Sequence, residues 1–129
     1  MTQVPNVDTA EPIPDAAREA IDALMSSGDL FRYTAPQDAP VALLEQEFAE
    51  LLGSKFALAV SSCSAALFLS LKALDLPRDS RVLIPGFTFA AVPSSVVHAD
   101  CIPVLCEVGK NYRINLADFE AKLDQNISA

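Results

Sequence analysis

Ser61, Ser62, Cys63 and Ser64 follow the apolar run Ala57-Leu58-Ala59-Val60 and lead straight into Ala65-Ala66-Leu67-Phe68-Leu69-Ser70-Leu71. A run of strand length that passes through small hydroxyl residues into a run of helix length reads as a buried strand feeding a buried helix. Such a junction aims the free N–H groups of the first helical turn, and the positive end of the helix dipole, beyond the strand's carboxyl end. The chemistry on offer is anion binding, most often of a phosphate. Serine has two uses there, because it caps a helix and also donates to a phosphate oxygen. Plain capping is the alternative.

Other reactive residues offer less. Cys63 invites a nucleophile reading, yet His98 is the chain's only histidine and lies far along the sequence. Cys63, Cys101 and Cys106 are an odd number with no CxxC pair, which argues against a disulfide framework or a zinc site and for buried small hydrophobes at positions 101 and 106. Glu45, Glu47 and Glu50 fall on the outward side of a helical pattern and read as a solvated face.

The elements that must position the serine cluster follow from periodicity. Ala17, Ala20, Ile21 and Leu24 share one face of a helix starting near Pro14 and closed by Gly28. A second helix runs from Pro40 to Leu52, capped by Gly53, with Leu44, Phe48, Leu51 and Leu52 as its predicted buried stripe. Phe56 to Val60 is the first predicted strand, apolar on both faces as in a parallel sheet covered by helices. The Ser64–Leu74 helix, apolar nearly all round, is expected to be sandwiched. Strands follow at Arg81 to Ile84 and about Ile102 to Val108, separated by a helix reaching Val97, and Asn115 stands as the N-cap of a last helix. Strand and helix alternate, which predicts a mostly parallel α/β sheet. Ligands of such sheets bind at the strands' carboxyl ends, where Ser61 to Ser64 and Phe87 to Phe89 lie.

The chain has 129 residues and is 51% hydrophobic, enough for one small domain with a core. Its formal net charge of -8 repels polyanions and excludes a nucleic-acid partner. No apolar run reaches the length that spans a bilayer, and Met1 to Asp8 lacks the basic and apolar regions of a signal peptide. A cytoplasmic protein with no membrane partner is expected.

Three blocks in order, Ser62-Cys63-Ser64-Ala65-Ala66-Leu67, Pro85-Gly86-Phe87-Thr88-Phe89-Ala90-Ala91 and Pro103-Val104-Leu105-Cys106-Glu107-Val108, resemble the N-terminal part of the DegT/StrS aminotransferases. The acidic helix Leu44 to Gly53 is similar to the one before that family's first strand. The resemblance implies an incomplete three-layer pyridoxal-phosphate transferase large domain, aspartate-aminotransferase-like. An arm, helix and connector over 1–34 would precede the first part of the cofactor domain over 35–129. It implies pyridoxal 5'-phosphate as cofactor, an amino acid as donor, a keto sugar or cyclitol as acceptor, and a homodimer in the full-length form. Carried over by position, it gives Cys63, Ser64 and Ala65 the cofactor phosphate, with Phe89 stacked on the pyridine ring and Phe87 in the core.

Two departures accompany it. Cys63 stands where the family usually has Gly, placing a side chain at a point of close backbone approach. The lysine that such a transaminase needs comes, in the family, later than residue 129, and Lys55, Lys72, Lys110 and Lys122 do not match it. The resemblance therefore implies no catalytic residue in this chain and an inactive protein on its own. Its alternatives are a non-catalytic partner pairing with a longer homologue, a fragment of a sugar dehydratase of the same family, and a small phosphate-binding module. The family also separates the strand at Phe56–Val60 from the other two by strands absent here.

Overall fold

The computed structural model describes residues 10–32, 36–123 and 126–129. The expected boundary at 34/35 and the greater part of the N-terminal arm lie outside the described residues. By contacts the chain forms two units, Met1–Ala59 and Val60–Ala129.

In the first unit, helix α1 spans Asp15–Ser27 and helix α2 spans Pro40–Leu52. Both end as predicted, on glycines in the left-handed region: Gly28 at φ 76° and Gly53 at φ 66°. The predicted stripe of α2 is not buried. Leu44, Phe48, Leu51 and Leu52 are all exposed, and Ala49 is the buried residue of that helix. Helical periodicity marks an apolar face, but burial needs an element to cover it.

Glu45 does not belong to a solvated face. Its Oε1 accepts the Ala59 N–H at 2.6 Å and binds the Arg32 guanidinium, whose Nη1 also donates to the Ala59 carbonyl at 3.3 Å. One carboxylate thus ties the connector and the segment after α2 to the helix. The Arg32 guanidinium and then the Ala59 N–H hold the Glu45 carboxyl below the ordinary glutamate value.

Phe56–Val60 forms no strand, contrary to expectation. A strand is defined by its ladder, and no described residue pairs with these; their backbone polar groups turn instead to Ser54 Oγ at Phe56 and to Glu45 and Arg32 at Ala59.

The second unit is built on a parallel pair, β1 (Arg81–Pro85) and β2 (Ile102–Cys106), in register from Arg81↔Ile102 to Pro85↔Cys106. Helix α4 (Ala91–His98) connects them, with Pro93 in its first turn. Helix α3 (Cys63–Ala73) precedes the pair and α5 (Leu116–Leu123) follows it. Side chains alternate along β1, so Val82 and Ile84 point inward to join Val96, Ala99 and Cys101 in the core, with Phe68, Leu71, Leu76 and Val92 packed against them. Each fully buried aliphatic side chain of this kind contributes on the order of 1.5–3 kcal/mol.

α3 is only half covered, not sandwiched: none of its residues is fully buried. β2 stops at Cys106, two residues short of the predicted end, and Val108 instead bridges antiparallel to Ile114. Cys101 and Cys106 are buried as expected. Asn115 caps α5, its Oδ1 accepting the N–H groups of Ala117 at 3.0 Å and Asp118 at 3.3 Å. Asp118 Oδ2 accepts from Glu107 N and Lys122 Nζ, each at 2.7 Å, and Lys122 donates also to the Leu105 carbonyl at 2.8 Å, which fastens α5 to the end of β2.

Residues 126–129 run along the other edge of β1. Ile127 bridges Arg81 in parallel, Ser128 N–H reaches the Arg81 carbonyl at 2.8 Å and Leu83 N–H reaches the Ala129 carbonyl at 2.8 Å.

Candidate functional site

The head of α3 carries the predicted anion site. Ser62 is the N-cap, extended at φ -164° and ψ 161°, and its Oγ accepts the Ala65 N–H at 3.1 Å. Ala66 N–H closes the first helical turn on the Ser62 carbonyl at 3.0 Å. Of the leading donors, Ala65 is therefore used by the cap, and the N–H groups of Cys63 and Ser64 stand ahead of the first intrahelical bond. Two amides beside a serine hydroxyl, at the positive end of an 11-residue helix, suit a phosphate.

α4 braces this end. Ser95, buried within the apolar contact of α3 and α4, donates from Oγ to the Ala91 carbonyl at 2.8 Å and lies 3.4 Å from the Ser64 carbonyl. The sequence reading missed Ser95; the available signal was a hydroxyl beside the apolar pair Val96-Val97 of a short helix. Ser64 and Ala65 line a groove of about 490 Å³ with Phe68 of α3 and Ala91, Ser94, Ser95 and His98 of α4. His98 Nδ1 is 2.7 Å from the Ser94 carbonyl.

The other two predicted site residues lie outside that lining. Cys63 is exposed, so its side chain is not packed into the helix head. Phe89 is 80% exposed and is no core residue; Phe87, expected in the core, is 66% exposed as well and packs on Tyr112. The Phe89 backbone is nevertheless fixed: its carbonyl accepts the Val92 N–H at 2.9 Å, while at the loop's start Gly86 N–H binds the Cys106 carbonyl at 2.7 Å. The approach is close there: a Cβ at Gly86 would meet the Cys106 oxygen at 3.0 Å.

Two lysines of this unit are engaged outside the groove lining: Lys72 lies 3.8 Å from Asp100, and Lys122 binds Asp118 and Leu105. Lys110 sits in the turn after β2, and Lys55, in the first unit, stands 5.2 Å from the Phe56 ring centre.

A family model described as the DegT/DnrJ/EryC1/StrS aminotransferase family matches residues 15–129. The chain belongs to this family. Among curated relatives, the GDP-perosamine synthase of Vibrio cholerae is 33% identical over 86 residues, covering 66% of this chain and 23% of the relative. The putative L-glutamine:3-amino-2,3-dideoxy-scyllo-inosose aminotransferase of Streptoalloteichus tenebrarius is 30% identical over 107 residues, covering 78% of this chain and 26% of the relative. The aminotransferase of Psychrobacter cryohalolentis superposes with a TM-score of 0.79 at 28% identity, over 90% of this chain and 29% of that one. This member of the aminotransferase family thus spans about a quarter of the length of those curated relatives and holds part of their fold. Among its described residues no helix is long and apolar enough to cross a membrane.

Proposed function

We propose that this chain supplies the phosphate-holding and ring-covering portion of the cofactor site of a pyridoxal-phosphate-dependent aminotransferase. The whole protein would move an amino group from an amino acid to a keto sugar or cyclitol, as a cytoplasmic homodimer. The observation that carries the reading is the pair of amides at Cys63 and Ser64, left ahead of the first turn of α3 while Ser62 caps it. These amides and the Ser64 hydroxyl would hold the cofactor phosphate, with Ala65 completing the turn and Phe89 covering the pyridine ring. When bound, pyridoxal phosphate supplies the electron sink that lets an amino group leave one carbon and join another. Ser95 keeps the Ser64 turn against α4, so the amides are oriented before any anion arrives.

None of the four lysines takes the catalytic part in this reading, and the chain alone turns over nothing. Titration with pyridoxal phosphate tests it: saturable binding should weaken on Ser64→Ala, and borohydride should fix no cofactor to a specific lysine. Absence of binding, or a labelled lysine, overturns it.

The exposed apolar face of α2 favours a second reading, in which the chain works as a non-catalytic partner of a longer relative. Co-purification with such a relative would support it, and a stable monomer would count against it.

A further inference from the structure

We propose that Tyr112 is a positioning residue for Phe89, acting through Phe87; this rests on the reading that Phe89 covers the cofactor ring. The rings of Phe87 and Tyr112 lie 5.1 Å apart at a tilt of 43°. Tyr112 is 73% exposed, so this contact is not imposed by a crowded core. It is made on the surface, at the carboxyl ends of β1 and β2, where ligands of parallel sheets bind.

Tyr112 is also held in a costly conformation. Its φ is 61°, a region that bulky side chains rarely adopt and that persists only where neighbouring bonds over-determine it. Those bonds are present: Tyr112 N–H to the Gly109 carbonyl at 2.9 Å, Gly109 N–H to the Arg113 carbonyl at 2.9 Å, and Arg113 N–H to Asn111 Oδ1 at 3.2 Å. The Val108–Ile114 bridge closes the turn beneath them. A turn fixed this firmly presents its ring as a stop.

The loop that meets the stop carries Phe89. It is tied at its start by Gly86 to Cys106 and at its end by Phe89 to Val92, and the Phe87 ring against Tyr112 holds the span between. Freeing Phe87 would let residues 87–89 turn about those two ties and would carry the Phe89 ring away from any fixed orientation. An aromatic pair of this kind is worth enough to shift an affinity by about three- to tenfold.

The test uses the full chain titrated with pyridoxal phosphate. Circular dichroism induced in the cofactor's own absorption band reports ring orientation, and thermal stabilisation by inorganic phosphate reports the helix head separately. Tyr112→Ala and Phe89→Ala should each weaken pyridoxal phosphate roughly three- to tenfold and diminish the induced signal. Stabilisation by inorganic phosphate should be unchanged in both, and Tyr112→Phe, which keeps the ring, should restore the signal. Phe87→Leu removes the same contact from the other side and carries the test if Tyr112→Ala unfolds. Should Phe89→Ala weaken binding while Tyr112→Ala or Phe87→Leu leaves affinity and signal intact, the positioning role is wrong and the ring-cover reading stands. If Phe89→Ala changes nothing, the ring-cover reading fails and the positioning role falls with it.

Discussion

Ser62 Oγ accepts the N–H of Ala65 at 3.1 Å, and that bond divides the work of the serines at the head of α3. Ser62 stabilises the helix; in the proposed reading Ser64 serves the ligand. Ser62→Ala should lower unfolding free energy by about 1 kcal/mol, the usual cost of losing a serine cap, while phosphate-dependent thermal stabilisation persists. Ser64→Ala should do the reverse, with little loss of stability and a weaker response to phosphate. Denaturant melts with and without phosphate separate the two, and equal effects from both substitutions would refute the division.

Cys63 is exposed, whereas Cys101 and Cys106 are buried. A thiol reagent should therefore modify one cysteine in the folded chain and all three in denaturant. Cys63→Ser should abolish the fast phase. Slowing of that phase by phosphate would place the anion beside Cys63, and Cys63→Gly should then bind it more tightly by removing a side chain at the helix head. Rapid modification of three native thiols would contradict the packing of β2 and α4.

Two carboxylates tie down elements through charge, which fixes how stability follows pH. Arg32 and the Ala59 amide hold Glu45 below its ordinary value, and Lys122 followed by the Glu107 amide does the same for Asp118. A depressed carboxyl contributes stability that is complete above its unfolded value, about 3.9 for Asp and 4.3 for Glu, and is lost as pH falls through the folded value. Lys122 is raised, chiefly by Asp118, so its share is complete below about 10.4 and is lost as pH rises through the folded value. Melting temperature should thus fall in acid below about pH 4 and again in strong alkali. Asp118→Asn should flatten both limbs. Glu45→Gln should flatten the acid limb alone and speed hydrogen exchange at the Ala59 amide, measured at matched pH.

Gly86 leaves 3.0 Å between the place of a Cβ and the Cys106 carbonyl oxygen. Gly86→Ala asks the Cys106 carbonyl to give by a few tenths of an ångström, which should strain the 2.7 Å bond between the strand ends and cost up to about 1–3 kcal/mol, as in other overpacked sites. Exchange protection of the Gly86 amide should drop together with the melting temperature. A variant as stable as the parent would show that the two strand ends are looser than their contact implies.

Local signals in the sequence matched local structure. Gly28, Gly53 and Asn115 each mark a helix end because the cap is made within a few residues, and the β1 and β2 starts follow from apolar runs between turns. The misreadings are non-local. Phe56–Val60 has the composition of a strand but no partner strand among the described residues, and the stripe of α2 has the right period yet stays exposed. Glu45 looked solvated because its partners are Arg32 and Ala59, the latter 14 residues away. Ser64 and Ala65 were legible as a helix head, while the buttress from Ser95, 31 residues on, was not.

The pairing of residues 126–129 along β1 has a practical consequence for handling the protein. With Arg81 and Leu83 already engaged by Ser128 and Ala129, β1 is flanked on both sides and cannot easily recruit a strand from a neighbouring molecule. Anything that peels residues 126–129 away from β1 would uncover a template for self-association.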